Sequence, residues 1–319
     1  MTRSVRHGAH GARDARNPRA RRSRRAWRGY LYVLPALLVY LTFAVLPALH
    51  TAYLSLFAWD GVTLGEWVGL DNYREVFADP ALRGSVLHAL VLVVFFSGLP
   101  ILAGLAMTGL LSPGRSPGGA LGRRRGLSAY RLLFMLPQVV PLVAVGVTWR
   151  WLYGADGLIN ETLEGIGLGG WTRAWLGDFD WALVAVGLVG TWVLSGLCMM
   201  LFLSGVHKID PQLYEAARLD GAGPVREFVS VTLPQLRGEL AVALTVTLVA
   251  ALAGFDIVYV TTGGGPGEET TVPGLLVYRL AFSDGKVGLA SALGVVLSLL
   301  ILVLVYVVGR LSRPGRTPA

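Results

Sequence analysis

Six long apolar runs dominate the chain, at roughly 30–56, 86–111, 132–153, 181–206, 240–262 and 287–308. A bilayer core about 30 Å thick needs about 20 apolar residues per helix, and every run meets that length. Polar and charged residues collect in the gaps between them. The pattern predicts an all-α, polytopic membrane protein with six transmembrane helices. The first run is too long for the apolar core of a cleaved signal peptide, and no small-residue cleavage site follows it. Trp27, Tyr30, Tyr32 and Tyr306 fall near span ends, where amphipathic rings sit at the membrane–water interface. Pro35, Pro47, Pro100, Pro137 and Pro141 punctuate the first three runs and predict kinks there, because proline removes a backbone donor.

Composition supports the same class. Of 319 residues, 54% are hydrophobic and 15% charged, against about 25% charged in soluble domains. The single cysteine, Cys198, has no partner for an internal disulfide. The histidines (His7, His10, His50, His88 and His207) are scattered and form no ligand pair, so no metal site is expected.

The net charge of +8 raises nucleic acid as a partner, but the distribution of charge points to topology instead. Four segments, 1–29, 112–131, 207–239 and 309–319, hold 22 of the 28 Lys and Arg residues, while 14 of the 20 acidic residues lie elsewhere. The positive-inside rule places these segments, and with them both termini, in the cytoplasm. The expected organisation is a basic, disordered tail at 1–29, a transmembrane domain at 30–309 and a short cytoplasmic tail at 310–319. The arginine-rich stretch 13–28 is read as topogenic, with an anionic-lipid or nucleic-acid patch as the other reading.

Three gaps face outward in this scheme. Residues 70–77 predict a short helix with Asp71 as N-cap. Residues 154–180 carry Trp171, Trp175 and five acids, and residues 263–286 open with Gly263-Gly264-Gly265-Pro266-Gly267.

The cytoplasmic segment after the fourth run is the most informative. Asp210 suits an N-cap and Pro211 the first helical position. Gly221 suits the left-handed residue that ends a helix. Gly223-Pro224 opens a second helix, with Val225, Phe228, Val229 and Thr232 at i, i+3, i+4, i+7. Pro234 then turns the chain back towards the membrane. The first helix is too short to be stable alone. Its small pair, Ala216 and Ala217, permits close approach to another surface, and Glu215 offers a charge. A docking knob and an ordinary capped loop both fit these residues.

The run Glu215-Ala216-Ala217, with Gly221 four positions on and Val231-Thr232-Leu233-Pro234 after it, resembles the Glu-Ala-Ala loop of ABC importer permeases, with Val231 in the usual isoleucine place. The resemblance implies a coupling helix seated in a groove of a cytosolic ATPase. It marks Tyr214, Glu215, Ala216, Ala217, Gly221, Leu233 and Pro234, within a loop at 207–235, as the coupling residues. Other stretches are similar to the maltose-type and glycerol-phosphate-type sugar permeases. These are Tyr32-Val33-Leu34-Pro35-Ala36, Val68-Gly69-Leu70-Asp71-Asn72-Tyr73, the loop from Thr261 through Thr270-Thr271 to Phe282, and Gly288–Leu293. One place departs: His88-Ala89 stands where the family has Asn-Thr.

The resemblance implies a type I importer fold in a bacterial inner membrane and transport by alternating access. It also implies three kinds of partner: a second permease, an ATPase dimer and an extracytoplasmic sugar-binding protein. ATP belongs to the ATPase. A P-loop needs Gly-Lys-Ser/Thr, and the two lysines, Lys208 after His207 and Lys286 before Val287, do not supply it. No paired catalytic carboxylates or nucleophile elbow stand out, so no enzymatic activity and no bound cofactor are expected. Candidate substrate contacts are Trp192, Ser195, Gly196 and Met199 on the fourth run, and Asp256 and Tyr259 on the fifth. Asp256 lies about 24 Å beyond residue 240 on a straight helix, towards the outer interface. Import of an amino acid, polyamine or phosphate by the same architecture, or a stand-alone channel, are the alternatives.

Overall fold

The computed structural model describes residues 32–111 and 131–312. The expectations for residues 1–29, Trp27, Tyr30, most of the basic loop at 112–131 and the last seven residues lie outside these. The chain divides into two compact units, Met1–His50 and Thr51–Ala319. The first long helix, α1 (Tyr32–Leu54), begins in the first unit.

Within the second unit, a two-residue antiparallel pair, β1 (Phe57–Ala58) and β2 (Glu66–Trp67), precedes a short helix, α2 (Asp71–Ala78). Leu70, not Asp71, is the N-cap of α2. Asp71 sits in the first turn and pairs with Arg74 at 2.6 Å. Asn72 is buried and donates to the Ser55 and Phe57 carbonyls at 2.8 and 2.9 Å, pinning α2 to the end of α1. Asp79 caps the next helix, α3 (Pro80–Leu110), by accepting from Ala81 N at 2.7 Å.

The third apolar run is not one straight helix. It is split into α4 (Arg131–Val139) and α5 (Leu142–Leu152), which meet at 105°. Pro141 caps α5 in an extended conformation (ψ 134°). Proline disfavours the helical region for the residue before it, and at Val140 the helix does stop. An outer helix, α6 (Leu158–Gly165), follows. The buried Asn160 ties the loop after it together, donating to Arg173 O at 3.0 Å and accepting from Trp175 Nε1 at 2.8 Å.

The fourth span, α7 (Ala182–Val206), is the centre of the bundle. Two-thirds of its apolar window (67%) is buried, against 28% for α3 and 17% for the last span, α13 (Val287–Leu311). Val186, Val189 and Val193 of α7 pack with Leu92 and Phe96 of α3 and Val145 of α5. Lipid gives helices no hydrophobic reason to associate, so close packing has to hold them together. Gly196 lets α7 approach the backbone of α4, where a Cβ would collide with the Phe134 carbonyl.

The cytoplasmic hairpin that follows consists of α8 (Pro211–Leu219) and α9 (Pro224–Gln235). α9 meets the fifth span, α10 (Arg237–Ala253), at 72°. α10 stops earlier than the apolar run does. Gly254 is extended (φ −61°, ψ 129°), and a separate short helix, α11 (Asp256–Thr261), begins after it. The straight-helix distance to Asp256 therefore does not apply. The outer loop from Thr262 leads through hydroxyl bonds, Thr270 Oγ1 to Gly265 O at 2.8 Å and Thr271 Oγ1 to Gly264 O at 3.1 Å, into α12 (Pro273–Phe282) and then α13.

Among the described residues, three helices contain a five-residue π turn: 41–45 in α1, 94–98 in α3 and 228–232 in α9. Each ends two residues before a proline: Pro47, Pro100 and Pro234. A proline ring clashes with the carbonyl four residues back, here that of Phe43, Phe96 or Ser230. Those carbonyls lie inside the π turns, where the wider backbone removes the clash. The expected kinks at Pro47 and Pro100 are thus taken up as wide turns in continuous helices.

Candidate functional site

The cytoplasmic hairpin is built from local signals. Asp210 accepts from Gln212 N at 2.9 Å and Pro211 starts α8. At the other end Ala222 N donates to Ala217 O at 2.9 Å and Gly221 N to Arg218 O at 3.0 Å. This is a Schellman closure, and it needs the left-handed residue that Gly221 (φ +74°) supplies. Caps at both ends let a nine-residue helix persist.

Two side-chain ties cross from α8 to α9. Tyr214 Oη and Thr232 Oγ1 share a hydrogen bond of 2.9 Å. Arg218 donates to both carboxylate oxygens of Glu227, from Nε at 2.8 Å and from Nη2 at 3.4 Å. The bond to Glu227 holds the Arg218 guanidinium above its ordinary pKa, and the charge of Glu215 adds to this. Beneath the hairpin, Lys208 pairs with Glu239 at 2.9 Å.

The hairpin presents an apolar, solvent-facing edge. Leu219 is 90% exposed, Val225 73% and Val229 55%, and Leu213 is exposed as well. Glu215 and Ala216 are exposed beside them, Tyr214, Ala217 and Leu233 are half-buried, and Pro234 is exposed. The expected stripe of Val225, Phe228, Val229 and Thr232 is only half realised. Thr232 is buried, and Phe228 turns towards Gly109 of α3. Val225 and Val229 face outward. The π turn at 228–232 puts extra residues into that turn, so a count of 3.6 per turn loses phase across it. Arg218, Glu227 and Glu239 were not singled out in the sequence, and Lys208 was weighed there only as a P-loop lysine. The one available signal was opposite charge at 218 and 227, on either side of a predicted bend.

The substrate candidates fall into two sets. Ser195 is buried and donates to the Thr191 carbonyl, Gly196 faces the Phe134 carbonyl, and Met199 is fully enclosed near Met107 and Phe134. Trp192, Asp256 and Tyr259 are exposed. Trp192 meets Trp149 edge to face at 5.5 Å. Tyr259 stacks on Phe255 at 4.9 Å and meets Tyr278 at 5.7 Å. Asp256 and Phe255 line a cavity of about 60 Å³ together with Phe96, Gly190, Val193 and Leu194. This cavity joins the start of α11 to the middle of α7.

A family model described as "Binding-protein-dependent transport system inner membrane component" matches residues 32–316. The chain belongs to this family. Among its relatives is the probable ABC transporter permease protein YurN of Bacillus subtilis, 36% identical over 295 residues, covering 90% of this chain and 96% of that one. The trehalose/maltose transport system permease protein MalF of Thermococcus litoralis is 34% identical, covering 89% and 94%. The diacetylchitobiose uptake system permease protein NgcF of Streptomyces coelicolor is 32% identical, covering 88% and 81%. The fold matches that of a chain in a bacterial ABC transporter that imports alginate, with a TM-score of 0.75 at 23% identity over 94% of this chain and all of that one.

The permease is accordingly a multi-pass inner-membrane component of an ABC importer, a transport subunit and not an enzyme. It works with a solute-binding protein and with an ATPase that handles the ATP.

Proposed function

We propose that the permease imports a saccharide, pairing with a second permease subunit and docking its α8–α9 hairpin on the ATPase. The observation that carries the docking is the hairpin's exposed edge. Leu213 and Leu219 of the doubly capped α8 and Val225 and Val229 of α9 are apolar side chains exposed to solvent, with Glu215 one turn before Leu219 for a basic partner. Several large exposed apolar side chains on one short hairpin suit an interaction site. Tyr214, Ala216, Ala217, Gly221, Leu233 and Pro234 shape and anchor the edge. The basic segments around it support a cytoplasmic position for the hairpin and both termini, and a transmembrane domain at residues 30–309 between two basic tails.

The saccharide reading is supported by relatives named for trehalose/maltose and diacetylchitobiose. It is also supported by the exposed Tyr259 ring one turn after Asp256 on α11, and by the exposed Trp192 ring on α7. Aromatic faces and hydrogen-bonding groups together suit sugar rings, whereas Ser195, Gly196 and Met199 serve the pathway by packing α7. ATP binding shifts the outward- and inward-open populations by binding them unequally.

The test is uptake by the complete transporter in proteoliposomes, with maltose, trehalose and diacetylchitobiose offered against leucine, spermidine and phosphate. ATP-driven uptake of a saccharide, with KM raised in Asp256→Ala and Tyr259→Ala, is the expected result. Uptake of leucine, spermidine or phosphate in place of any saccharide would overturn the substrate class.

A further inference from the structure

α8 joins the rest of the chain through two turns. His207–Asp210 links it to α7, and Asp220–Gly223, with its left-handed Gly221, links it to α9. A nine-residue helix held only through such turns would swing when pushed. The ties described above close that freedom. The Tyr214–Thr232 bond holds the first half of α8, and the Arg218–Glu227 fork holds the second. They lie four residues apart on α8, on one face of the helix, and land five residues apart on α9.

The far arm is seated in the bundle. Phe228 rests on Gly109 of α3, and Thr232 is buried. Leu236, just beyond α9, is fully buried with Phe202 and Val206 of α7 and Ala243 of α10.

The geometry points to Arg218 and Glu227 as positioning residues that lock α8 and α9 into one stiff lever, so that a push on α8 reaches spans two, four and five as a single rigid-body displacement. The inference rests on the reading of α8 as the ATPase-docking element. The exposed Leu219 of the docking edge takes no part in the lock's hydrogen bonds. The bidentate fork suits this role because it fixes orientation as well as distance. Coupling between sites is reciprocal, so the lever also carries the signal inward, from the bound solute-binding protein to the ATPase.

The experiment uses the assembled transporter in proteoliposomes with its native binding protein on the outer side. One readout is the stimulation of ATP hydrolysis by that protein. The other is the distribution of distances between spin labels at Gln212→Cys on α8, exposed and outside the docking edge, and Val242→Cys on α10. With Arg218 and Glu227 intact, stimulation is present and the distribution narrow. Arg218→Glu and Glu227→Arg each bring hydrolysis down to the unstimulated rate and broaden the distribution. The double exchange, R218E with E227R, restores both, a recovery that a general loss of folding would not show. Full stimulation with a narrow distribution in either single variant, or no recovery in the double exchange, overturns the lever. Failure of the intact permease to bind the ATPase through α8 overturns the docking reading instead, so the two are told apart.

Discussion

A side chain added at Gly221 meets no atom within 4 Å, so space does not explain this glycine. Backbone conformation does: φ is +74°, and an L-residue there costs about 1–2 kcal/mol. Gly221→Val should loosen the Schellman closure, and Gly221→Asn should do so less, because asparagine tolerates the left-handed region. Hydrogen exchange at the Ala222 amide reads this directly, with an expected acceleration of about 5–30-fold in the valine variant. Asp60, in the outer loop, offers a second check. Its carboxylate accepts from the Val62 and Thr63 amides at 2.9 and 2.8 Å, and these bonds hold its pKa below the ordinary value. A depressed carboxylate pKa stabilises the turn at pH above the ordinary value, and that support is lost as pH falls through the depressed one. Protection of the Val62 and Thr63 amides, taken relative to the intrinsic exchange rate at each pH, should therefore be high at neutral pH and fall in acid, and Asp60→Asn should abolish that dependence. Gly221 was legible in the sequence because its role is local. The Arg218–Glu227 fork was not, because many carboxylates are available to an arginine and only the folded hairpin selects one.

At the scale of elements, apolar run length located the spans, since hydrophobic length is set by the membrane and not by neighbours. Direction was not legible. The 105° bend at Pro141 and the break at Gly254 leave the apolar composition unchanged, so a count of hydrophobic residues passes straight through both. For the same reason Asp256 read as part of a long span when it opens a separate helix. The π turns make a sharper case. If Pro100 causes the turn at 94–98, Pro100→Ala should let α3 relax to regular α-helix and rotate its two halves relative to each other. Phe96 would then leave Gly190, where a Cβ would collide with its ring. A structure of the variant, with its thermal unfolding temperature, checks this. A regular helix and a lower temperature are expected, and a persistent π turn would remove proline as the cause.

For the whole molecule, α7 is the most buried span and packs against α3 and α10, and the proposed working end is the cytoplasmic hairpin that follows it. Charge asymmetry and the Glu-Ala-Ala spacing made the class of machine legible, because both are imposed from outside the chain by the membrane and by the partner. The substrate is less legible. The cavity that Asp256 lines draws its walls from α7 and α11, over 60 residues apart in sequence, and α11 starts there because the chain breaks at Gly254. The claim that joins these scales is that α8 meets the ATPase. Cys198 is buried, so Leu219→Cys adds one exposed thiol at the tip of α8. In the assembled transporter this thiol should cross-link to the ATPase with a short bifunctional reagent, and Glu215→Arg should abolish the adduct together with transport. An intact, transporting complex in which Leu219→Cys forms no adduct with the ATPase would contradict the account.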